Sequence, residues 1–150
     1  MRAFADVQEL LAAEGADLGA TAWREITQEQ VDSFADTTDD HQWIHVDADR
    51  AAKGPFRGPI AHGYLTLALV IPLYTSLIEV TGITMGINYG LEKVRFPSPV
   101  RVGSRIRLAV RVDEVTDVPR GVQAVMDFTV EIEGIDKPAC VCRPIYRYYA

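Results

Sequence analysis

The sequence predicts an α+β fold, a curved antiparallel β-sheet wrapped around a long central apolar helix. Three observations lead there. Residues 63–80 are apolar on nearly every side, the pattern of a helix buried on most of its faces. Everything after Gly82 reads as strand, including two long runs in which apolar and polar residues alternate. The helices come before the strands and do not interleave with them, so the strands are joined as hairpins and not as βαβ crossovers.

Taken in order, residues 4–13 carry apolar side chains at helical spacing and predict a short helix, within a helical extension spanning residues 1–18. Gly15 and Gly19 bracket a break, and 22–26 is a first strand. Thr27-Gln28-Glu29-Gln30 has the form of a capping box, with Thr27 as N-cap, and Ile26 and Val31 stand where a hydrophobic staple sits. These signals predict a helix over about 28–36 that buries Val31, Phe34 and Ala35. Asp47 is a second N-cap, for a short helix through Ala52 that ends at Gly54-Pro55. The apolar helix follows His62, is expected to kink or split at Pro72, and is closed by Gly82. The regular strands are Ile106, Leu108, Val110, Val112 and Val122, Ala124, Met126, Phe128, Val130, Ile132, each set alternating with more polar neighbours. Residues 84–96 and 138–149 are less regular strands, and Pro119-Arg120-Gly121 and Glu133-Gly134-Ile135-Asp136 supply turns. A sheet with one apolar face needs a cover, and only the 63–80 helix can provide it. That combination is the single hot-dog fold, with all of 1–150 in one domain.

Composition narrows the function. Of 150 residues, 48% are hydrophobic and 24% charged, and the net charge of −6 argues against a nucleic-acid binder. Asp6, Glu9 and Glu14 leave no apolar core for a signal peptide, and the most apolar stretch, 67–77, contains Pro72, Thr75 and Ser76. It falls short of the roughly 20 residues of a membrane span. A cytoplasmic protein without nucleic-acid or membrane partners is expected. Cys140 and Cys142 are two apart, so a strand places both on one face, as small core residues. No second Cys/His group is spaced to complete a tetrahedral metal site.

Chemistry concentrates in Asp40-His41-Gln42-Trp43-Ile44-His45-Val46-Asp47. Asp40 and His45 offer a carboxylate base and an imidazole acid that can share one water, while His41 is expected to be exposed. Read singly, Asp40 is an ordinary loop carboxylate and His45 a structural histidine. Lys93, Arg95, Arg101, Arg105, Arg107 and Arg111 read mainly as solvated strand faces, with room for a phosphate contact among them.

Three stretches carry a resemblance. Asp39-Asp40-His41-Gln42-Trp43-Ile44-His45 is similar to a motif Gly-Asp-x-Asn-Pro-Leu/Ile-His. Ala61-His62-Gly63 matches an Ala-His-Gly that opens a central helix. Lys93-Val94-Arg95-Phe96-Pro97-Ser98-Pro99-Val100, with Val102-Gly103-Ser104, resembles an Arg-Phe-x-x-Pro-Val strand and its Gly-Asp turn. Together, over roughly 22–149, the chain resembles the MaoC-like (R)-specific enoyl-CoA hydratases, and the Gln42–His45 variant a subgroup common in actinobacterial lipid metabolism. The resemblance implies reversible hydration of a trans-2-enoyl thioester to an (R)-3-hydroxyacyl thioester. It makes Asp40 and His45 the catalytic pair, Asp40 taking a proton from water and His45 delivering one to the α-carbon. The substrate would be an acyl-CoA, or an acyl carrier protein thioester, and no cofactor is required.

Gly63 is placed to meet the enolate oxygen with its backbone N–H at the start of the helix. Gln42 is expected to orient the loop, and His62 to cap the helix or touch substrate. Trp43 would act as an apolar anchor. Asp39 stands where the family has glycine, and if that position needs positive φ it carries local strain. Two alternatives remain at this point. One is an acyl-thioester hydrolase on the same fold, for which Glu79 is the only acid in the 63–80 segment. The other is a non-catalytic acyl-binding subunit or heterodimer partner. Exposed sheet edges usually pair, so a homodimer is expected.

Overall fold

The computed structural model describes all residues, 1–150. Its elements are β1 (Arg2–Phe4), α1 (Val7–Leu11), β2 (Asp17–Ala20), β3 (Arg24–Glu25), α2 (Gln28–Thr38), α3 (Trp43–Val46), α4 (Ala48–Ala52), α5 (Gly63–Ala68), α6 (Val70–Leu77), β4 (Ile78–Val80), β5 (Met85–Arg95), β6 (Arg105–Val118), β7 (Gly121–Ile132) and β8 (Ile135–Tyr149). Six strands form one antiparallel sheet in the order β2-β6-β7-β8-β5, with β3 also on β6. The α+β hot-dog architecture is as expected. No helix is long and apolar enough to cross a membrane.

The sheet follows from its alternation. Ile106, Leu108, Val110 and Val112 of β6 and Val122, Ala124, Met126, Phe128, Val130 and Ile132 of β7 are all buried. Arg105 and Arg107 instead lie on the outer face and pair across it with Glu133 and Glu131. A register shift after Val112 inserts one residue into β6, and the next buried side chain is Val115, three positions on. The hairpins turn through Pro119-Arg120 and Glu133-Gly134, with Arg120 at φ 65° and Gly134 at φ 75°. Cys140 and Cys142 are both buried and free, on the apolar face of β8.

Three expectations are corrected. The N-terminus is not a helical extension. Asp6 caps α1 by accepting from the N–H groups of Gln8 and Glu9, so the helix starts later than residue 4. Phe4 is fully buried in β1, which pairs in parallel with β4, and Asp17–Ala20 joins the main sheet on β6. The second correction concerns the apolar helix, which breaks at Leu69 and not at Pro72. Pro72 has no N–H to give the carbonyl of Ala68, four residues back, so the break falls one turn earlier. Pro72 then occupies the first turn of α6, where that N–H has no intrahelical partner to lose. Residues 78–80 leave the helix altogether as β4. The strand expected over 22–26 as the first is instead the third, β3, and shortens to Arg24–Glu25.

Candidate active site

The capping box of α2 forms as read. The Gln30 N–H donates to Thr27 Oγ1 (3.3 Å) and the Thr27 N–H to Gln30 Oε1 (3.1 Å). The helix runs two residues past 36, where the hydroxyls of Thr37 and Thr38 bond the carbonyls of Ser33 and Phe34. It stops at Asp39, in the left-handed conformation with φ 58° and ψ 19°. That is the position where glycine is the cheap residue, at a cost of about 1 kcal/mol for others. The Asp39 carboxylate also sits at the negative end of a helix dipole, a further penalty of some tenths of a kcal/mol. Asp39→Gly is therefore expected to raise stability by about 1 kcal/mol, or about 2–4 °C in Tm for a domain of this size. A thermal melt giving an unchanged or lower Tm would show that the aspartate is compensated.

The turn at Asp39 delivers Asp40, whose side chain is exposed, and one helical turn, α3, then carries His45 inward. Trp43 anchors this turn. Its indole lies against Gly54, where an added Cβ would come within 2.9 Å, and the Arg50 guanidinium covers the ring at 4.5 Å. Gln42 does not orient the turn through its amide, which is exposed and caps nothing. Its backbone carbonyl accepts from the His45 N–H at 2.9 Å. The amide that grips this segment is that of Gln28, donating to the His45 carbonyl and to Asp32 Oδ1, both at 2.8 Å. No local pattern points to Gln28, because its partner is 17 residues away.

His45 is only 6% exposed, and its Nδ1 donates to the carbonyl of Ile60 at 2.7 Å. That bond fixes the tautomer and leaves the Nε2 lone pair free. Burial pushes the His45 pKa below its ordinary value. The Ile60 bond and the Asp40 charge oppose that shift, and His62 adds to it. His62, only 2% exposed, lies beneath. Its Nε2–H donates to the Asp40 carbonyl at 2.9 Å, and its ring stacks on that of His45 at 3.8 Å between centroids and 24° between planes. Its side chain makes no helix-capping hydrogen bond. His41 is exposed as expected and bonds Asp36 at 2.8 Å.

One polar atom each of Asp40, His45 and His62 lies within 4.8 Å of the other two. Two hydrogen bonds of about 2.8 Å meeting at a bend span about 4.5 Å, so one water fits between a carboxylate and an imidazole at this separation. A metal ion fits poorly. Each imidazole must aim its lone pair in its own ring plane at an ion about 2.1 Å away. Two rings stacked 3.8 Å apart and nearly parallel cannot converge so closely.

Beside His45 opens a cavity of about 370 Å³, lined among others by Ala61, Gly63, Thr66, Phe96 and Val100. Gly63 is the first residue of α5, so its N–H has no partner within the helix. A Cβ there would press on the Phe96 ring at 3.3 Å. Glu79 is exposed in β4 and is not among the lining residues.

Comparison with known proteins supplies the family and the fold. The family model described as MaoC like domain matches residues 9–132. The chain is 54% identical over 151 residues to 3-hydroxyacyl-thioester dehydratase Z of Mycobacterium tuberculosis, covering 100% of both chains. Among solved structures, an (R)-hydratase from Pseudomonas aeruginosa superposes with a TM-score of 0.74 at 24% identity, covering 91% of this chain and 81% of that one. An (R)-hydratase from A. caviae gives 0.73 at 22%, covering 89% and 94%. These two likenesses bear on the fold.

Proposed function

The chain belongs to the MaoC-like dehydratase family of hydro-lyases, and from that premise we propose that it interconverts trans-2-enoyl and (R)-3-hydroxyacyl thioesters, with Asp40 and His45 holding one water between them as an acid–base pair. The observation that carries this reading is the closeness of the Asp40 and His45 polar atoms, within 4.8 Å, with His45 on the wall of a largely apolar cavity.

The tautomer of His45 refines the division of labour expected from the motif. Nε2 arrives as an acceptor, so in hydration it takes a proton from the water as the oxygen adds to C3. The resulting imidazolium returns that proton to C2. The Asp40 carboxylate accepts the water's other hydrogen and balances the charge on the imidazolium. In dehydration Nε2 removes the C2 proton and passes it to the C3 hydroxyl, which departs as water. Charge that builds on the thioester oxygen meets the Gly63 N–H, an oxyanion donor on the same cavity wall as His45. Every group the reaction needs belongs to the chain, so activity is expected without added cofactor and in the presence of a chelator.

The test is loss of enoyl-thioester absorbance with crotonyl-CoA and longer trans-2-enoyl-CoAs, and chiral analysis of the product. A purely (S) product, or no turnover on any chain length, would overturn the proposal. Release of free thiol would identify a hydrolase instead, and acyl-CoA binding without turnover a non-catalytic subunit. The same series offered on acyl carrier protein distinguishes the carrier.

The active form is proposed to be a homodimer. Strand β5 ends the sheet, and its Met85, Ile87, Tyr89 and Leu91 are 49%, 38%, 54% and 45% exposed. An edge strand with four large apolar side chains in water is a template for a second copy. Light scattering should give twice the chain mass, and Ile87→Lys should shift it toward the monomer. A monomeric wild type contradicts the proposal.

A further inference from the structure

We propose that His62 is a positioning residue that sets the spacing between Asp40 and His45, an inference that rests on those two forming the catalytic pair. His62 stands just ahead of α5, with its backbone held on both sides. The preceding Ala61 N–H donates to the Val100 carbonyl at 2.8 Å, and the His62 carbonyl accepts from the Thr66 N–H at 3.1 Å. From that fixed base the imidazole reaches three consecutive parts of one distant stretch, α2, the Asp40 turn and α3. Its Nε2–H holds the Asp40 carbonyl at 2.9 Å, 22 residues away in sequence. Its face supports the His45 ring at 3.8 Å, and Phe34 of α2 packs against it at 4.9 Å between centroids. The turn that carries the carboxylate and the turn that carries the imidazole are thus tied to one buried side chain.

Plain core filling explains this less well. The other nitrogen, Nδ1, is buried with no hydrogen-bond partner. A buried polar atom without a partner costs free energy that an apolar filler of the same shape avoids. A histidine is justified here by what its bonded nitrogen does, and that bond goes to the Asp40 backbone. His62 acts through Asp40 and His45 and takes no proton from substrate.

Two variants separate the roles. His62→Gln keeps an amide N–H where Nε2 stands but removes the ring, whereas His62→Phe keeps a ring and removes the donor. With crotonyl-CoA, the Phe variant is expected to lose about 10–100-fold in kcat with KM changed less than about threefold, since displacement by an ångström costs up to about 10²-fold. The Gln variant should stay within about fivefold of wild type, and thermal melts confirm that both fold. Equal kcat losses in the two, a loss confined to KM, or wild-type kcat in the Phe variant would each overturn the proposal. Should the Phe variant not fold, His62→Leu makes the same comparison. An inactive Asp40→Asn beside a fully active His62→Phe would fail this inference alone. A fully active Asp40→Asn would fail the reading beneath it.

Discussion

Asp40→Asn is expected to lower kcat by about 10³-fold while leaving KM within a few-fold of wild type. Asparagine has the same shape and can still accept one hydrogen bond from water, so the site keeps its form. It loses the negative charge proposed to steady the His45 imidazolium once Nε2 has taken a proton. Acid–base partners of this kind contribute typically about 10²–10⁴-fold. Stability should hardly move. The Asp40 side chain is exposed and has no hydrogen bond within the chain, and surface changes of that sort stay within about 0.5 kcal/mol. The Asp40 contact that does organise the site is its backbone carbonyl, bonded to His62, and the substitution leaves that group in place. A steady-state assay with crotonyl-CoA and a matched thermal melt check both halves. Wild-type kcat in this variant would remove Asp40 from the reaction.

What the sequence made legible is what depends on neighbours a few residues apart. The Thr27–Gln30 capping box and the Asp47 cap, which accepts from the Arg50 N–H at 3.0 Å, are both formed. So is the burial of alternate residues in β6 and β7. The motif position that elsewhere holds glycine raised the question of positive φ at Asp39, and the backbone there is left-handed. The less legible features depend on distant partners. The pairing of Phe4 with Val80 turned an apparent helix start into a strand. Pro72 exerted its effect three residues ahead of itself, because a missing donor is felt at the carbonyl four residues back. Gln28 and His62 matter because each bonds a backbone carbonyl of the Asp40–His45 stretch, and a residue's spacing pattern says nothing about a partner 17 or 22 residues away.

His45→Gln should cost more than Asp40→Asn, about 10⁴-fold in kcat, because it removes the one group proposed to carry the proton between oxygen and C2. The amide can imitate an Nε2 hydrogen bond but cannot take a proton at neutral pH. The wild-type pH profile supplies the independent check. Burial, the largest influence on His45, lowers its pKa below the ordinary 6.5, so the ring rests neutral at pH 7 with Nε2 open. As pH falls through that lowered value the lone pair is lost, and kcat/KM should fall with an apparent midpoint below 6.5. The hydration equilibrium takes up no protons overall, so the same acid limb must appear in kcat/KM for hydration and dehydration. Folding responds in the same sense: His45's contribution is present above 6.5, where neither state is charged. It is lost as pH falls through the folded value, because the unfolded chain protonates first. His41 runs the other way. The Asp36 hydrogen bond raises its pKa, so its small contribution is present below 6.5 and fades as pH rises through the folded value. A stability profile alone would mix the two, whereas the kcat/KM profile isolates His45, since His41 is exposed and engaged with Asp36. An acid limb centred above 6.5, or one that survives unchanged in His45→Gln, would assign the titrating group elsewhere and leave His45 without the role proposed for it.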